Sequence, residues 1–183
     1  AKNHIVLLPD ADPEIAGRGI SDSFTGCAGQ RCMAASVLLA VGDVEKQIAA
    51  IVARAKSLSL GEDMGAIITK EQVEFLNQAI SRAEEAGAKI LLDGRKSTPP
   101  KGFEGGFWLG PTILDNVDPA SEASKIELFG PIISIVRVKS ISDAMKIENQ
   151  NEYGNACSVF TTNGALAEKV VASASADRKS KRM

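Results

Sequence analysis

The 183-residue sequence contains a single histidine, His4, and only three cysteines. One histidine excludes a metal site built from several histidines. It also leaves only His4 as the base of a Cys-His pair, and a histidine at the start of a strand is more often structural, so a cysteine hydrolase is the weakest interpretation. Three cysteines are too few for a disulfide framework, and their odd number predicts a reducing compartment such as the cytoplasm.

The sequence also lacks any apolar run near the ~20 residues that a membrane span needs, and no signal peptide is recognisable at its start. The net charge is only −2; residues 177–183 carry +3 and the preceding 176 residues therefore carry −5. A mildly acidic body argues against nucleic-acid binding, and the basic end predicts a solvated tail. No glycine-rich phosphate loop of Rossmann or Walker spacing is present, so the chain has no dinucleotide fingerprint of its own.

Strand-like and helix-like patterns alternate along the whole chain, which predicts an α/β domain over residues 1–176. A mostly parallel sheet covered by helices on both faces is expected. Asp12-Pro13 and the capping box Thr69/Gln72 mark two helix starts. Strands are predicted at 4–8, 36–41, 89–93, 131–138 and 156–162, and less clearly at 107–117. Helices are predicted after 12, from 44, from 69 to 87, at 142–150 and from 164, with a surface loop at 95–106.

The segment Gly29-Gln30-Arg31-Cys32 lies between a predicted helix and a predicted buried strand. A thiolate at Cys32 would attack a carbonyl carbon, the cationic Arg31 would favour that thiolate, and the Cys32 amide would serve an oxyanion. The structural alternative is an inert core cysteine, because free cysteines are among the most buried residues. Cys27 has neither metal-ligand nor redox-motif spacing to Cys32.

A second segment, Glu127-Leu128-Phe129-Gly130-Pro131, precedes the predicted strand 131–138. Glu127 would hydrogen-bond ribose hydroxyls while the ring of Phe129 packs on a flat heterocycle. The structural alternative is an ordinary turn with a solvated carboxylate.

Together these segments resemble the aldehyde dehydrogenase family. Lys2-Asn3 is similar to the end of its Glu-Leu-Gly-Gly-Lys-Asn segment, Gly29–Cys32 to its nucleophile motif, and Glu127–Pro131 to its cofactor motif. Asn149 with Tyr153-Gly154 and the following Val-Phe-Thr at 159–161 resemble a late-strand signature, and Pro-Thr-Ile at 111–113 also fits.

Several shorter segments most resemble the methylmalonate-semialdehyde dehydrogenase branch, among them Ala-Lys-Asn-His at 1–4 and Gln-Arg-Cys-Met-Ala at 30–34. The resemblance implies Cys32 as the nucleophile that passes through a thiohemiacetal and a thioester, and Arg31 as the partner of the substrate carboxylate. Glu127 and Phe129 would contact NAD, and coenzyme A would accept the acyl group, giving propionyl-CoA from methylmalonate semialdehyde. It further implies a homo-oligomeric parent enzyme, in the mitochondrial matrix if the source is eukaryotic.

The sequence departs from the family pattern at Thr25, where an aromatic is expected, and at Ile126 and Ala66. The resemblance also places most of the NAD-binding domain, the oxyanion asparagine and the general-base glutamate position before Ala1, so we expect this chain alone to have negligible turnover and weak or no NAD affinity. Two alternatives stay open: a CoA-independent semialdehyde dehydrogenase that releases a carboxylic acid, and an isolated non-catalytic domain with a structural or interaction role.

Overall fold

A computed structural model describes the backbone of residues 1–180 and the side chains of residues 1–174. The strands are β1 (Asn3–Leu7), β2 (Ala35–Val41), β3 (Lys89–Leu92), β4 (Thr112–Asp115), β5 (Ile132–Val138) and β6 (Cys157–Phe160). The helices are α1 (Pro13–Thr25), α2 (Glu45–Lys56), α3 (Lys70–Glu85), α4 (Glu122–Lys125), α5 (Ile141–Asn149) and α6 (Gly164–Ser180). Short 3-10 helices span Gly26–Gly29 and Gly94–Lys96.

The six strands form one sheet in the order β3-β4-β5-β2-β1-β6. Every neighbouring pair is parallel except β3 and β4, which are antiparallel at one edge. The prediction of a mostly parallel sheet is therefore confirmed. The order also sets β2 in the centre, between β5 and β1, and this position decides which loops become neighbours.

Helices cover both faces of the sheet, as predicted. Helices α1 and α2 pack on one face through a buried cluster that includes Ile20, Phe24 and Ile51. The other face packs against α3, α4, α5 and α6 in a second cluster, to which Leu76 and Val170 belong. The strands alternate between these clusters, because successive side chains of a strand point to opposite faces. Two separate buried layers result.

The helix starts follow from local chemistry. The Asp12 side chain accepts from the Ile15 N–H, and Pro13 occupies the first turn of α1. Thr69 caps α3 by accepting from the Gln72 N–H at 3.2 Å. The capping-box prediction is only half met, because the Gln72 side chain turns toward the loop before β5, where it donates to the carbonyl of Leu128. The Gln72 side chain thus makes a tertiary contact instead of the local capping bond that the motif predicted.

Some elements differ from the sequence prediction. The region 107–117 contributes only the four residues of β4, α4 was not predicted, and the loop at 95–106 begins within a 3-10 helix. The side chains of the predicted basic tail at 177–183 lie outside the described residues. Among the helices that the structure describes, none is both long and apolar enough to cross a membrane. No group of three or more metal-ligating side chains occurs in that same part of the chain.

Candidate active site

The segments singled out in the sequence meet at the amino-terminal edge of the sheet. β1, β5 and β6 run parallel to β2 or to each other, so the residues that precede each strand emerge at the same edge. Cys32 lies three residues before β2, and the segment 127–131 leads directly into β5. The segment 151–155 precedes β6, and Lys2 precedes β1. The structure therefore brings together four segments that lie far apart in the sequence.

An unusual turn carries the chain from α1 to Cys32. Cys27, Ala28 and Gly29 have φ angles of 53°, 52° and 68°, three consecutive residues in the left-handed region. Non-glycine residues rarely adopt this conformation, and runs of them occur only where the surroundings enforce it. The strain therefore marks this turn as a segment held by tertiary contacts.

Gln30 supplies several of those contacts. Its Nε2 donates to the carbonyl oxygens of Cys27 (3.2 Å) and Ala66 (3.1 Å), and its Oε1 accepts from the Ile68 N–H (2.9 Å). Gln30 thus ties the turn to the loop that leads into α3. Gln30 belongs to the predicted nucleophile segment, but its sequence position indicated no role for it, because these partners are set by the fold.

Gly29 joins the turn to the segment before β5. A Cβ built on Gly29 would lie 2.1 Å from the carbonyl oxygen of Gly130 and 2.8 Å from the nitrogen of Pro131. Only glycine, with no Cβ and free access to positive φ, permits this approach. The nucleophile segment and the Glu127–Pro131 segment are therefore in direct backbone contact.

The Cys32 side chain is exposed, so the interpretation as an inert core cysteine is wrong. Its carbonyl oxygen accepts hydrogen bonds from the side-chain amides of Asn3 (2.8 Å) and Asn155 (2.7 Å). Its backbone N–H donates to no acceptor among the residues that the structure describes. An accessible sulfur beside an unengaged N–H is the arrangement that a nucleophile with its own oxyanion donor requires.

The loop before β5 presents Glu127 and Phe129 at the same edge. Phe129 has a φ of 58° and its ring is 42% exposed, while its neighbour Leu128 is buried. The Gln72 amide donates to the carbonyl oxygens of Leu128 (2.7 Å) and Phe129 (3.3 Å). The side chain of Gln72 in α3 thus fixes the backbone of Leu128 and Phe129, while the Phe129 side chain stays partly exposed.

The amino group of Ala1 lies beside the Glu127 carboxylate. It forms an ion pair with the Glu127 carboxylate. Burial lowers the pKa of this amino group, whereas the nearby Cys32 thiolate charge raises it. The residue that opens the chain before β1 thus meets the loop before β5 at the same edge of the sheet.

The Arg31 side chain turns back toward the end of α1. Its Nη2 donates to the carbonyl oxygens of Asp22 (3.1 Å) and Ser23 (3.0 Å). The Asp22 carbonyl also accepts from the Gly26 N–H, so Arg31 adds a second donor to it and further holds the last turn of α1. The residue is exposed, and no described group contacts its Nε or Nη1 by a hydrogen bond. Arg31 thus supports the helix end and retains donors for a further partner.

Two titratable side chains at the start of β1 are buried. Lys2 is 1% exposed, and burial lowers its pKa to about 7. Burial, followed by the charge of Lys2, lowers the pKa of His4 to about 4. His4 lines a cavity of about 200 Å³ with Ser124 and Tyr153, and no hydrogen bond joins it to Cys32 within residues 1–174. The Cys-His pair of a cysteine hydrolase is therefore not formed here.

The departures from the family pattern also have positions in the fold. Phe24 is fully buried in the core under α1, and Thr25 is buried with its hydroxyl bonded to the Ser21 carbonyl, so neither presents an aromatic ring to the edge. Ala66 accepts from Gln30 through its carbonyl oxygen, which any residue type supplies. Ile126 is 47% exposed beside Glu127.

The chain matches the Aldehyde dehydrogenase family over residues 1–177. It is 42% identical over 175 residues to the rat mitochondrial protein named methylmalonate-semialdehyde/malonate-semialdehyde dehydrogenase [acylating]; the match covers 92% of this chain and 32% of the relative. The corresponding Arabidopsis thaliana protein is 40% identical over 175 residues, with coverages of 92% and 29%. The chain spans about a third of the length of these curated relatives.

Solved structures give the same result. A putative methylmalonate-semialdehyde dehydrogenase from Sinorhizobium meliloti, complexed with NAD, matches with a TM-score of 0.89 and 34% identity, covering 94% of this chain and 36% of that one. The methylmalonate-semialdehyde dehydrogenase of Oceanimonas doudoroffii matches with a TM-score of 0.89 and 36% identity, covering 94% and 37%. The resemblance seen in the sequence is confirmed.

Proposed function

This chain belongs to the aldehyde dehydrogenase family, and on that premise we propose that it supplies the nucleophile of an NAD-dependent semialdehyde dehydrogenase. One observation carries the proposal. The exposed thiol of Cys32 stands at the amino edge of the sheet beside its own unengaged N–H, a cationic Arg31 and the Glu127 loop. Relatives with this fold carry the name of a semialdehyde dehydrogenase.

Cys32 begins the proposed reaction. Its thiolate adds to the aldehyde carbon, which forms a carbon–sulfur bond and moves the carbonyl electron pair onto oxygen. The Cys32 N–H donates to that oxyanion, as fixed donors do in acyl-transfer sites. Loss of a hydride from the same carbon leaves a thioester on Cys32.

The substrate is proposed to be a semialdehyde, because its second carboxylate suits Arg31. The guanidinium is planar with five donors, and its Nη2 is already anchored to the end of α1, which holds the group in place. The free donors would bind the carboxylate and set the distance from it to the aldehyde carbon. Methylmalonate semialdehyde and malonate semialdehyde are the candidates that the relatives' names supply.

The residues of the loop before β5 fit the nicotinamide half of NAD. Glu127 offers carboxylate oxygens for ribose hydroxyls, and the outward ring of Phe129 offers an apolar face for a flat heterocycle. NAD, when bound, accepts the hydride.

The acyl acceptor is proposed to be coenzyme A. Attack of its thiolate on the thioester carbon releases the Cys32 thiolate and gives an acyl-CoA; with methylmalonate semialdehyde, loss of carbon dioxide accompanies formation of propionyl-CoA. Water as the acceptor would instead release a carboxylic acid. The parent enzyme is proposed to act in the cytoplasm, or in the mitochondrial matrix of a eukaryote, as a homo-oligomer.

A hybrid enzyme tests the proposal. Residues 1–174 of this chain replace the matched segment of the rat relative, and NADH formation from malonate semialdehyde is followed with and without coenzyme A. We expect the Cys32→Ser variant to lose activity and the Cys27→Ser variant to keep it, because both cysteines are exposed but only Cys32 is held by the side-chain amides of Asn3 and Asn155. Product analysis separates acyl-CoA from free acid.

Three results would count against the proposal. An active Cys32→Ser hybrid would exclude this nucleophile. A folded hybrid that binds NAD yet stays inactive would favour a non-catalytic domain. Free acid as the only product in the presence of coenzyme A would favour the CoA-independent alternative.

A further inference from the structure

The carbonyl group of Cys32 is held more firmly than its exposed side chain suggests. Its oxygen accepts from two amide nitrogens, that of Asn3 at 2.8 Å and that of Asn155 at 2.7 Å. A carbonyl oxygen has two lone pairs, so both are used. Because the peptide group is planar, fixing this oxygen also fixes the Cys32–Met33 peptide and the ψ angle of Cys32.

The two donors come from different parts of the sheet. Asn3 is the first residue of β1, is buried, and also donates to the Ala34 carbonyl at 2.8 Å. Asn155 is exposed, precedes β6, and reaches past the end of β1 to Cys32 and to the Met33 sulfur at 3.4 Å. The Asn3 donor is therefore part of the sheet itself, whereas the Asn155 donor comes from the exposed loop that precedes β6.

The loop that carries Asn155 is itself anchored. Asn151 donates to the Lys2 carbonyl at 2.6 Å and accepts from the Tyr153 N–H at 3.1 Å. The Tyr153 hydroxyl accepts from the Glu127 N–H at 3.3 Å. Gly154 has a φ of 54°, which turns the chain before Asn155. These contacts deliver the Asn155 amide to a defined point above the nucleophile.

We propose that Asn155 is a positioning residue for Cys32: its amide completes a two-donor clamp on the Cys32 carbonyl and thereby orients the thiol toward the bound aldehyde. This role deepens the proposed function and rests on Cys32 being the nucleophile. The clamp leaves the Cys32 N–H unengaged, so it orients the residue without occupying the oxyanion donor. Without Asn155, the Asn3 bond is the one hydrogen bond that remains to the Cys32 carbonyl among residues 1–174.

A selectively labelled sample of the whole chain tests the clamp directly. Cys32-Met33 is the only Cys-Met pair in the sequence, so carbonyl-¹³C cysteine with ¹⁵N methionine gives one HNCO signal, from that peptide. Hydrogen bonding to a carbonyl moves its ¹³C resonance downfield. We expect Asn155→Ala to move it upfield and Asn155→Asp, which has the same shape but no donor, to move it further.

Reactivity is measured in the same samples. Malonate semialdehyde should protect Cys32 from iodoacetamide by forming a thiohemiacetal, with exposed Cys27 as the internal reference and propanal as the uncharged control. Loss of one hydrogen bond in the clamp should weaken this protection about three- to tenfold in Asn155→Ala. The matched control is Gln47→Ala, which removes side-chain amide bonds to the carbonyl oxygens of Pro9 and Ala11 at the other end of β1; it should leave protection unchanged.

The two readouts separate the clamp from the proposed function. If the wild type shows protection but Asn155→Ala changes neither the carbonyl signal nor the protection, Asn155 has no positioning role. An equal effect of Gln47→Ala on both readouts would also overturn it, because the effect of Asn155→Ala would then reflect a general loss of stability. If the carbonyl signal moves while the wild type shows no protection at Cys32, the bond exists but the proposed nucleophile fails, and the positioning role fails with it.

Discussion

The contact between Gly29 and Gly130 yields a sharp prediction for the variant Gly29→Ala. The new Cβ would lie 2.1 Å from the Gly130 oxygen and 2.3 Å from its carbonyl carbon. Both are backbone atoms, so no side chain can rotate away. One of the two segments must move, although Pro131 and β5 follow directly after the contact.

The expected loss in the free energy of unfolding of Gly29→Ala has two parts. A non-glycine residue in the left-handed region costs about 1–2 kcal/mol. Overpacking adds about 1–3 kcal/mol, so the variant should lose about 2–5 kcal/mol in the free energy of unfolding. Gly154 is a matched control, because its φ of 54° is similar to the 68° of Gly29 and nothing lies within 4 Å of its Cβ position. Gly154→Ala should therefore lose only the cost of the left-handed conformation, without the overpacking cost.

Urea unfolding followed by circular dichroism measures the difference in stability between Gly29→Ala and Gly154→Ala. With a slope near about 2 kcal/mol per molar urea, the midpoint of Gly29→Ala should lie about 0.5–1.5 M below that of Gly154→Ala. Equal midpoints for the two variants would refute the reasoning, because the close approach of the two backbones would then carry no energetic cost. A changed slope would point instead to an altered denatured state.

Three further predictions concern buried charge. The pKa of Lys2 is lowered to about 7, so between pH 7 and 10.5 the unfolded chain binds a proton that the folded chain does not. The free energy of unfolding should therefore rise in this range by up to about 1.4 kcal/mol per pH unit. Urea titrations of the Lys2→Met variant should not show this rise. The pKa of His4 is lowered to about 4, so stability present above pH 6.5 should fall as the pH drops toward 4, and less steeply in His4→Phe. Arg137→Met should cost about 2–4 kcal/mol in thermal or urea unfolding, because it leaves the buried Asp115 carboxylate without its two bonds at 2.8 and 2.9 Å. Arg54→Met, which breaks an exposed pair, should cost about 0–1 kcal/mol, and equal losses would contradict the argument.

The position of the candidate site is unusual for a parallel α/β sheet. Ligands in open sheets of this kind usually bind beyond the carboxyl ends of the strands. Here Cys32, Glu127 and Asn155 all precede their strands, so they gather at the opposite edge. The left-handed turn at 27–29 and the left-handed Phe129 lie at this edge as well, and such strain concentrates at functional sites.

Local patterns explain why much of the fold could be predicted. Apolar runs and caps such as Asp12 act within a few residues, so the alternation of strands and helices is visible without the tertiary structure. The helix α4 escaped prediction because four residues are too few for a period. The antiparallel pairing of β3 with β4 escaped because pairing partners are a property of the whole sheet.

The candidate site likewise contains residues that local patterns indicate and residues that only the tertiary structure brings in. Cys32, Arg31, Glu127 and Phe129 could be proposed as site residues because their residue types and short spacings resemble a family motif. The sequence indicated no role for Gln30 or Asn155 and only a helix-capping role for Gln72, because each of the three bonds a carbonyl or amide of another segment.

The sequence by itself determined the fold class, the family and the identity of the nucleophile candidate, since these depend on residue type and on spacing over a few positions. It left the exposure of Cys32 undecided between a core and a site residue. The tertiary structure decided that exposure, and it set Arg31 against the end of α1. It also placed Asn155 on a carbonyl 123 residues away. The physical reason is that strand order and register bring distant backbone groups into contact, and no local pattern encodes which groups will meet.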